Sequence, residues 1–164
     1  LPISRPLILA AGCDLRRRID VRLAEHAATV LRDTLVLGRA AEQPGRLATR
    51  TTVSVAGVPL HDEGLDTGDA TTLRSPAVLG DARVLDAVAV FGHRCDSDGA
   101  LQLAGPGTLA AVCARDAAAA DQYIDPIHRI WAQRLLESSA ARDPDLTLQH
   151  ESDDSELRLA LPPR

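Results

Sequence analysis

Two short clusters of side chains in this sequence carry groups that bind transition metals. The first comprises His61, Asp62 and Glu63, and the second comprises His93, Cys95, Asp96 and Asp98. Imidazole and thiolate ligands both suit nickel or zinc. Neither cluster has the spacing of a closed structural zinc site, and polar residues are common at the ends of hairpins. We therefore expect no dedicated metal site, and at most a transient metal contact whose weak candidate ligands are His61, Glu63, His93 and Cys95.

No motif typical of a catalytic nucleophile or of a phosphate-binding loop stands out. The nucleophile elbow GxSxG is absent. Cys95 lies close to His93, but neighbours at that spacing on an extended strand point the same way and would bind something rather than form a nucleophile–base pair. Gly105–Thr108 lacks the later glycine and lysine of a phosphate loop, so we expect a loop and a helix cap. This motif search therefore identifies no catalytic nucleophile and no nucleotide-binding loop.

Charge and cysteine content narrow the classes of partner and compartment. The formal net charge of -5 disfavours nucleic-acid binding, which needs a basic surface that displaces counterions. The one basic run, Arg16–Arg18, is interpreted as a solvated turn before a strand. No stretch reaches the roughly 18 to 20 apolar residues that cross a bilayer. The odd number of widely spaced cysteines favours a reducing compartment, so we expect a cytoplasmic protein that binds neither nucleic acid nor membrane.

The elements that must position these residues are mainly β-strands. From Ile19 to Val90, short runs rich in Val, Leu and Thr are separated by Gly, Pro and Asp. Within Leu47–Val55 the apolar and polar positions alternate with period two, as in a half-buried strand. Gly57 follows, so we expect a tight turn into a second antiparallel strand. Further strands are predicted at Ile19–Leu23, Thr29–Leu37 and Arg83–Val90.

Several charged residues on the early strands show no recognisable pairing. They are Asp14, Asp20, Glu25, His26, Arg32 and Asp33. We assign them to the solvent-exposed surface by default.

After Gly107 the sequence predicts two α-helices. Thr108 can cap a helix that runs through Leu109 and Cys113 into an Ala-rich segment. A second helix is predicted to begin with Asp125 as its cap and Pro126 at its first position. The buried stripe of that helix is expected to comprise Ile127, Ile130, Trp131 and Leu135, with Trp131 as a packing anchor. Residues 140–164 are polar and acidic and are expected to form a loosely ordered tail.

The turn between two predicted strands carries the last group of distinctive residues. Gly38 and Gly45 bracket the turn, and Arg39 and Glu42 are close enough in sequence to pair across it. The simplest interpretation is a locked β-turn with no direct part in binding. The alternative is that Arg39 and Glu42 lie on a surface that faces a partner or lines a channel.

This turn and the strands around it resemble the UreD (UreH) family of urease accessory proteins. In that family a strand ends in Leu-Gly-Arg, a turn carries Gly-Glu and a later Gly, and a long strand turns at a Gly into a strand with an acidic residue. The matching positions are Leu37, Gly38, Arg39, Glu42, Gly45, Gly57, Leu60 and Glu63. The similarity continues through residues 79–90 and more weakly into the helical end. One departure is Ala41, where the family commonly has Gly.

The resemblance implies a mainly β domain over residues 1–139. Its expected fold is a two-layer or sandwich-like β-sheet with two α-helices near the carboxy terminus. The amino-terminal strands of the family are expected to be missing from this domain. It also implies a non-enzymatic scaffold that needs no cofactor of its own, an expectation with which the empty motif search agrees. Family members bind the accessory protein UreF and, through it, the GTPase UreG, and they dock on apo-urease so that nickel reaches the active site. A water-filled route through the protein has been associated with that transfer. The alternative hypothesis is a small metal-dependent enzyme on a β-sandwich or barrel that uses His61, His93 and nearby carboxylates.

Overall fold

The computed structural model describes residues 5–39, 41–69, 73–75 and 78–142, which form eight strands and one long helix. The strands are β1 (Leu7–Ile8), β2 (Asp14–Leu23), β3 (Thr29–Val36), β4 (Arg46–Val55), β5 (Val58–Asp66), β6 (Val84–Phe91), β7 (Leu101–Gln102) and β8 (Gly107–Ala114), and the helix is α1 (Ala117–Arg142).

The strands form two sheets. The larger sheet has the order β1-β3-β6-β8-β7, and the smaller sheet has the order β2-β4-β5. Strands β1 and β3 run parallel, as do β2 and β4, whereas the other neighbouring pairs are antiparallel. This arrangement confirms the prediction of a mainly β fold built from two sheets.

The larger sheet buries both of its faces. On one face, Phe91 of β6 packs with Val53 of β4 in the layer between the sheets. On the other face, Val88 and Val90 pack against Trp131 of helix α1. Because side chains alternate across a strand, neighbouring residues of β6 serve different layers. The helix therefore forms a third layer on the larger sheet.

The hairpin of β4 and β5 is the best-predicted part of the fold. Leu47 and Val53 are buried on the face that the alternating pattern identified. The chain reverses through Ala56 and Gly57, which have φ angles of 49° and 79°. Positive φ at two successive residues is typical of the type I′ turns that suit the twist of antiparallel strands.

The first predicted helix is wrong, because Gly107–Ala114 forms strand β8. This strand pairs with β6 along its whole length, from Gly107 opposite Phe91 to Ala114 opposite Val84. Thr108 does not cap a helix. Its buried hydroxyl accepts a hydrogen bond from the Cys95 N–H at 2.9 Å. The alanines of this segment favour a helix, but the backbone hydrogen bonds to β6 and the burial of its side chains in the sheet outweigh that preference.

The second predicted helix begins earlier than expected. Asp116 is the cap, since its Oδ1 accepts a hydrogen bond from the Ala119 N–H at 2.9 Å. Pro126 therefore lies inside α1 rather than at its first turn. Trp131, at 1% exposure, is the packing anchor that was predicted, but Ile130 of the expected stripe is exposed. The helix continues to Arg142, and the remainder of the predicted tail lies outside the described residues.

Candidate functional site

The turn between β3 and β4 brings together the residues that the sequence singled out, and we name it the Arg39 turn (residues 38, 39 and 41–45). Gly38 has a φ angle of 77°, which favours glycine. A Cβ on Gly45 would lie 2.6 Å from the carbonyl oxygen of Ala10 and would also collide with the Cys13 sulfur. Both glycines are therefore required by the backbone path, one for its conformation and the other for its close approach to the neighbouring chain.

The predicted ion pair of the turn is long. The guanidinium of Arg39 lies 3.9 Å from the nearer oxygen of Glu42, which exceeds a normal hydrogen-bond length. The other carboxylate oxygen of Glu42 accepts weak hydrogen bonds from the backbone N–H groups of Ala11 and Arg39, at 3.3 and 3.4 Å. Glu42 thus mainly tethers the backbone, while the Arg39 side chain remains 70% exposed.

Arg83, which directly precedes β6, holds the turn, and sequence reasoning gave it no role. Its Nη2 donates to the carbonyl oxygens of Leu37, Arg39 and Glu42, at 3.0, 2.7 and 3.0 Å. Three carbonyl dipoles thus converge on one cationic group. No spacing rule could have found this contact, because the acceptors are backbone atoms that lie about 40 residues away in the chain.

The two predicted metal clusters lie in different parts of the fold. On β5, His61 Nε2 lies 3.3 Å from Glu63 Oε2 in a cleft between the sheets, whereas Asp62 points to the opposite face and binds Arg50. Because side chains alternate along a strand, His61 and Glu63 face the cleft, whereas Asp62 faces the outer side of the smaller sheet.

The second cluster follows the end of β6. The strand ends at Phe91, so His93 and Cys95 lie in a loop and not on an extended strand as expected. Cys95 is 2% exposed and packs in the core beneath α1. Burial raises the pKa of its thiol, which disfavours the thiolate form that binds metals. Among the described residues, no three His, Cys, Asp or Glu side chains gather in a way that could hold a metal ion.

The cleft between the sheets has a volume of about 240 Å³, and both apolar and charged side chains line it. Arg17 of β2 reaches across it and donates to Asp33 of β3 through both terminal nitrogens, Nη1 at 2.8 Å and Nη2. Its Nε donates to the Thr49 hydroxyl at 3.1 Å. The run Arg16–Arg18 is therefore part of a strand and not a solvated turn. Alternation directs Arg17 inward, so the default surface assignment of Asp33 is also wrong.

A second charge cluster joins the larger sheet to the helix, and sequence reasoning missed it as well. Arg32 donates to the buried Asp86 at 3.1 and 2.6 Å, and the same guanidinium contacts Asp121 at 2.6 Å and Asp125. The Thr34 hydroxyl donates to Asp86 at 2.9 Å. These hydrogen bonds raise the pKa of Arg32 and lower the pKa of Asp125. The cluster anchors the helix on the sheet, which is a structural role.

Comparison with known proteins places this arrangement in a family. The family model described as UreD urease accessory protein matches residues 3–146. Urease accessory protein UreD 1 of Streptomyces griseus subsp. griseus is 34% identical over 131 residues, which cover 78% of this chain and 51% of that protein. Urease accessory protein UreD 1 of Saccharopolyspora erythraea is 38% identical over 145 residues, which cover 84% of this chain and 52% of that protein.

The chain spans about half the length of these curated relatives. A shorter match, to urease accessory protein UreD 2 of Saccharopolyspora erythraea, is 42% identical over 82 residues. Within the described part of the chain, no helix has both the length and the apolar character that a membrane crossing requires.

Proposed function

The chain belongs to the UreD family of urease accessory proteins, and we propose that it acts in urease maturation as a scaffold that assists the insertion of nickel into apo-urease. The observation that carries this proposal is the match of the family model to residues 3–146. Relatives named as urease accessory proteins, with 34% and 38% identity over most of the chain, support it.

The positions of the reactive groups favour a binding role over catalysis. Cys95 is packed beneath the helix, whereas His61 lies in the cleft between the sheets, so a thiol and an imidazole that were candidates for chemistry are in separate layers. Charged groups that line the cleft are bonded to each other, as Arg17 is to Asp33 and His61 is to Glu63. A scaffold needs stable surfaces more than an activated nucleophile.

The partners we propose are UreF-type and UreG-type accessory proteins and the urease apoprotein. Nickel would be cargo that makes at most a transient contact, and we propose no resident cofactor. All three cysteines are free thiols, which suits the reducing environment of the cytoplasm. We therefore propose a cytoplasmic location.

The test is deletion of the gene in its native host, from which any second gene of this family has also been removed. We expect urease to accumulate as a protein with little nickel and little activity, and expression of the intact gene to restore both. Nickel is measured by mass spectrometry on purified urease, and urease abundance is measured by immunoblot. Normal nickel content and activity in the deletion strain would overturn the proposal.

A further inference from the structure

We propose that the Arg39 turn is a preorganised docking element in which Arg83 fixes the backbone and the Arg39 guanidinium binds a carboxylate on a protein partner. The inference rests on the proposed function, since the partners would be members of the urease assembly. It adds the contact residue, the positioning residue and the chemistry that the partner must offer.

The backbone of the turn is held by an internal cation. The Arg83 Nη2 donates to the carbonyl oxygens of Leu37, Arg39 and Glu42, at distances of up to 3.0 Å. This nitrogen has only two protons, so the three acceptors share them. Without a positive charge at their centre, three carbonyl dipoles that point at one position would repel each other. The conformation of the turn therefore depends on the Arg83 side chain.

Two further features restrict the backbone of the turn at its described residues 41 and 45. Gly45 sits against the chain at Ala10, where a side chain has no room. Ala41 is held at a φ angle of 62°, a conformation that residues with a Cβ rarely adopt. Such strain persists only where the surrounding structure fixes it, and it concentrates at functional positions.

The Arg39 side chain is only loosely engaged within the turn. It is 70% exposed, and it lies 3.9 Å from Glu42, whose other oxygen accepts from backbone N–H groups. A guanidinium at the tip of a fixed turn has already lost part of the freedom that binding would otherwise remove. Its planar set of donors matches a carboxylate through two parallel hydrogen bonds.

A protein carboxylate fits this site better than a nucleic acid. Glu42 stands beside Arg39, and the chain has a formal net charge of -5, so a polyanion would meet repulsion from the negative charge around this guanidinium. One carboxylate presented by a protein surface would meet the guanidinium without that penalty. The contact should weaken as salt concentration rises.

The experiment measures binding of the full-length protein to purified urease apoprotein and to the purified UreF-type protein, each in a separate titration at low and high salt. Arg39→Ala should weaken at least one of the two interactions roughly tenfold to a hundredfold, the effect of a lost hydrogen bond to a charged group. Arg39→Lys should fall between Arg39→Ala and the wild type, because it keeps the charge and loses the paired donors. The matched control is Arg50→Ala, which removes an exposed arginine from the outer face of the smaller sheet and should bind as the wild type does.

The role of Arg83 is tested in the same titrations. Arg83→Ala should weaken the same interaction, and millimolar methylguanidinium should restore it by entering the vacated position. Arg83→Lys should retain most of the binding, because an ammonium group offers three protons to the three carbonyls. If Arg83→Ala does not fold, Arg83→Met is the second variant, because it keeps an apolar stem and removes the cation. Normal binding by a folded Arg83→Ala or Arg83→Met protein would overturn the positioning role.

The outcomes separate the docking element from the proposed function. Wild-type binding by Arg39→Ala to both partners would overturn the docking role while leaving the scaffold intact. Failure of the wild-type protein to bind either partner, together with normal urease activation in the deletion strain, would overturn the proposed function itself.

Discussion

Replacing Arg32 with Met should lower the free energy of unfolding by about 3–5 kcal/mol, because it leaves a carboxylate inside the protein without its counter-ion. The side chain of Asp86 is 0% exposed, and it is bonded to Arg32 and to the Thr34 hydroxyl. Asp86→Val should cost less, about 1–3 kcal/mol, because the guanidinium keeps Asp121 and Asp125 and the main loss is the acceptor of Thr34. The double substitution removes both charges and should cost less than Arg32→Met alone.

Equilibrium unfolding in urea, followed by circular dichroism at pH 7, measures these free energies. Arg50→Met is the matched control. Arg50 also binds an aspartate, Asp62, through two N–H groups at 2.8 and 2.6 Å, but these side chains are 63% and 53% exposed. Its loss should therefore cost less than about 1 kcal/mol. The reasoning is refuted if Arg32→Met costs no more than Arg50→Met, or if Asp86→Val costs more than Arg32→Met.

Three further changes test single features of the fold. Ala41→Gly should raise the free energy of unfolding in urea by about 1 kcal/mol, because Ala41 has a φ angle of 62°, which glycine adopts with less strain. Gly45→Ala should destabilise the protein by about 1–3 kcal/mol in thermal unfolding. Its new Cβ would lie 2.6 Å from the Ala10 oxygen, whereas in the control Gly64→Ala the nearest atom is 3.7 Å away. His128→Gln should reduce the loss of stability on acidification below about pH 6.5. Burial lowers the pKa of His128 in the folded protein below its ordinary value of 6.5. As the pH falls, the unfolded state therefore binds a proton at this residue before the folded state does, and the stability of the protein declines below about pH 6.5.

Each of these changes has a contrary result. An unchanged or lower stability of Ala41→Gly would show that the left-handed conformation costs alanine nothing in this turn. Equal melting temperatures for Gly45→Ala and Gly64→Ala would contradict the close approach at Gly45. A His128→Gln protein whose stability still falls with pH as steeply as that of the wild type would assign the acid sensitivity to other groups.

The helical end shows where local sequence misled. Leu109 and Cys113 are spaced as on a helix, and the alanines around them favour helix, yet β8 forms because its residues complete the ladder beside β6. Asp125 and Pro126 look like the start of a helix. The helix instead begins after Asp116, and the Asp125 carboxylate is engaged by Arg32. In both places a distant partner decided between local alternatives of similar energy.

The sequence by itself determined the strands whose side chains alternate and the turns in which glycine is required. Period two in Leu47–Val55 and the glycine at Gly57 were sufficient for the hairpin, because each depends on neighbouring residues alone. The residues of the Arg39 turn were also identified from the sequence.

Only the tertiary structure decided which charges meet. Arg17 reaches from the smaller sheet to bind Asp33 of the larger sheet, and Arg83 donates hydrogen bonds to carbonyl oxygens of a distant segment of the chain. Hydrogen bonds and ion pairs act over a few ångströms in space, and the topology of the sheets sets which residues come that close. The residues adjacent to a charged residue in the sequence therefore do not predict which distant residue it will contact.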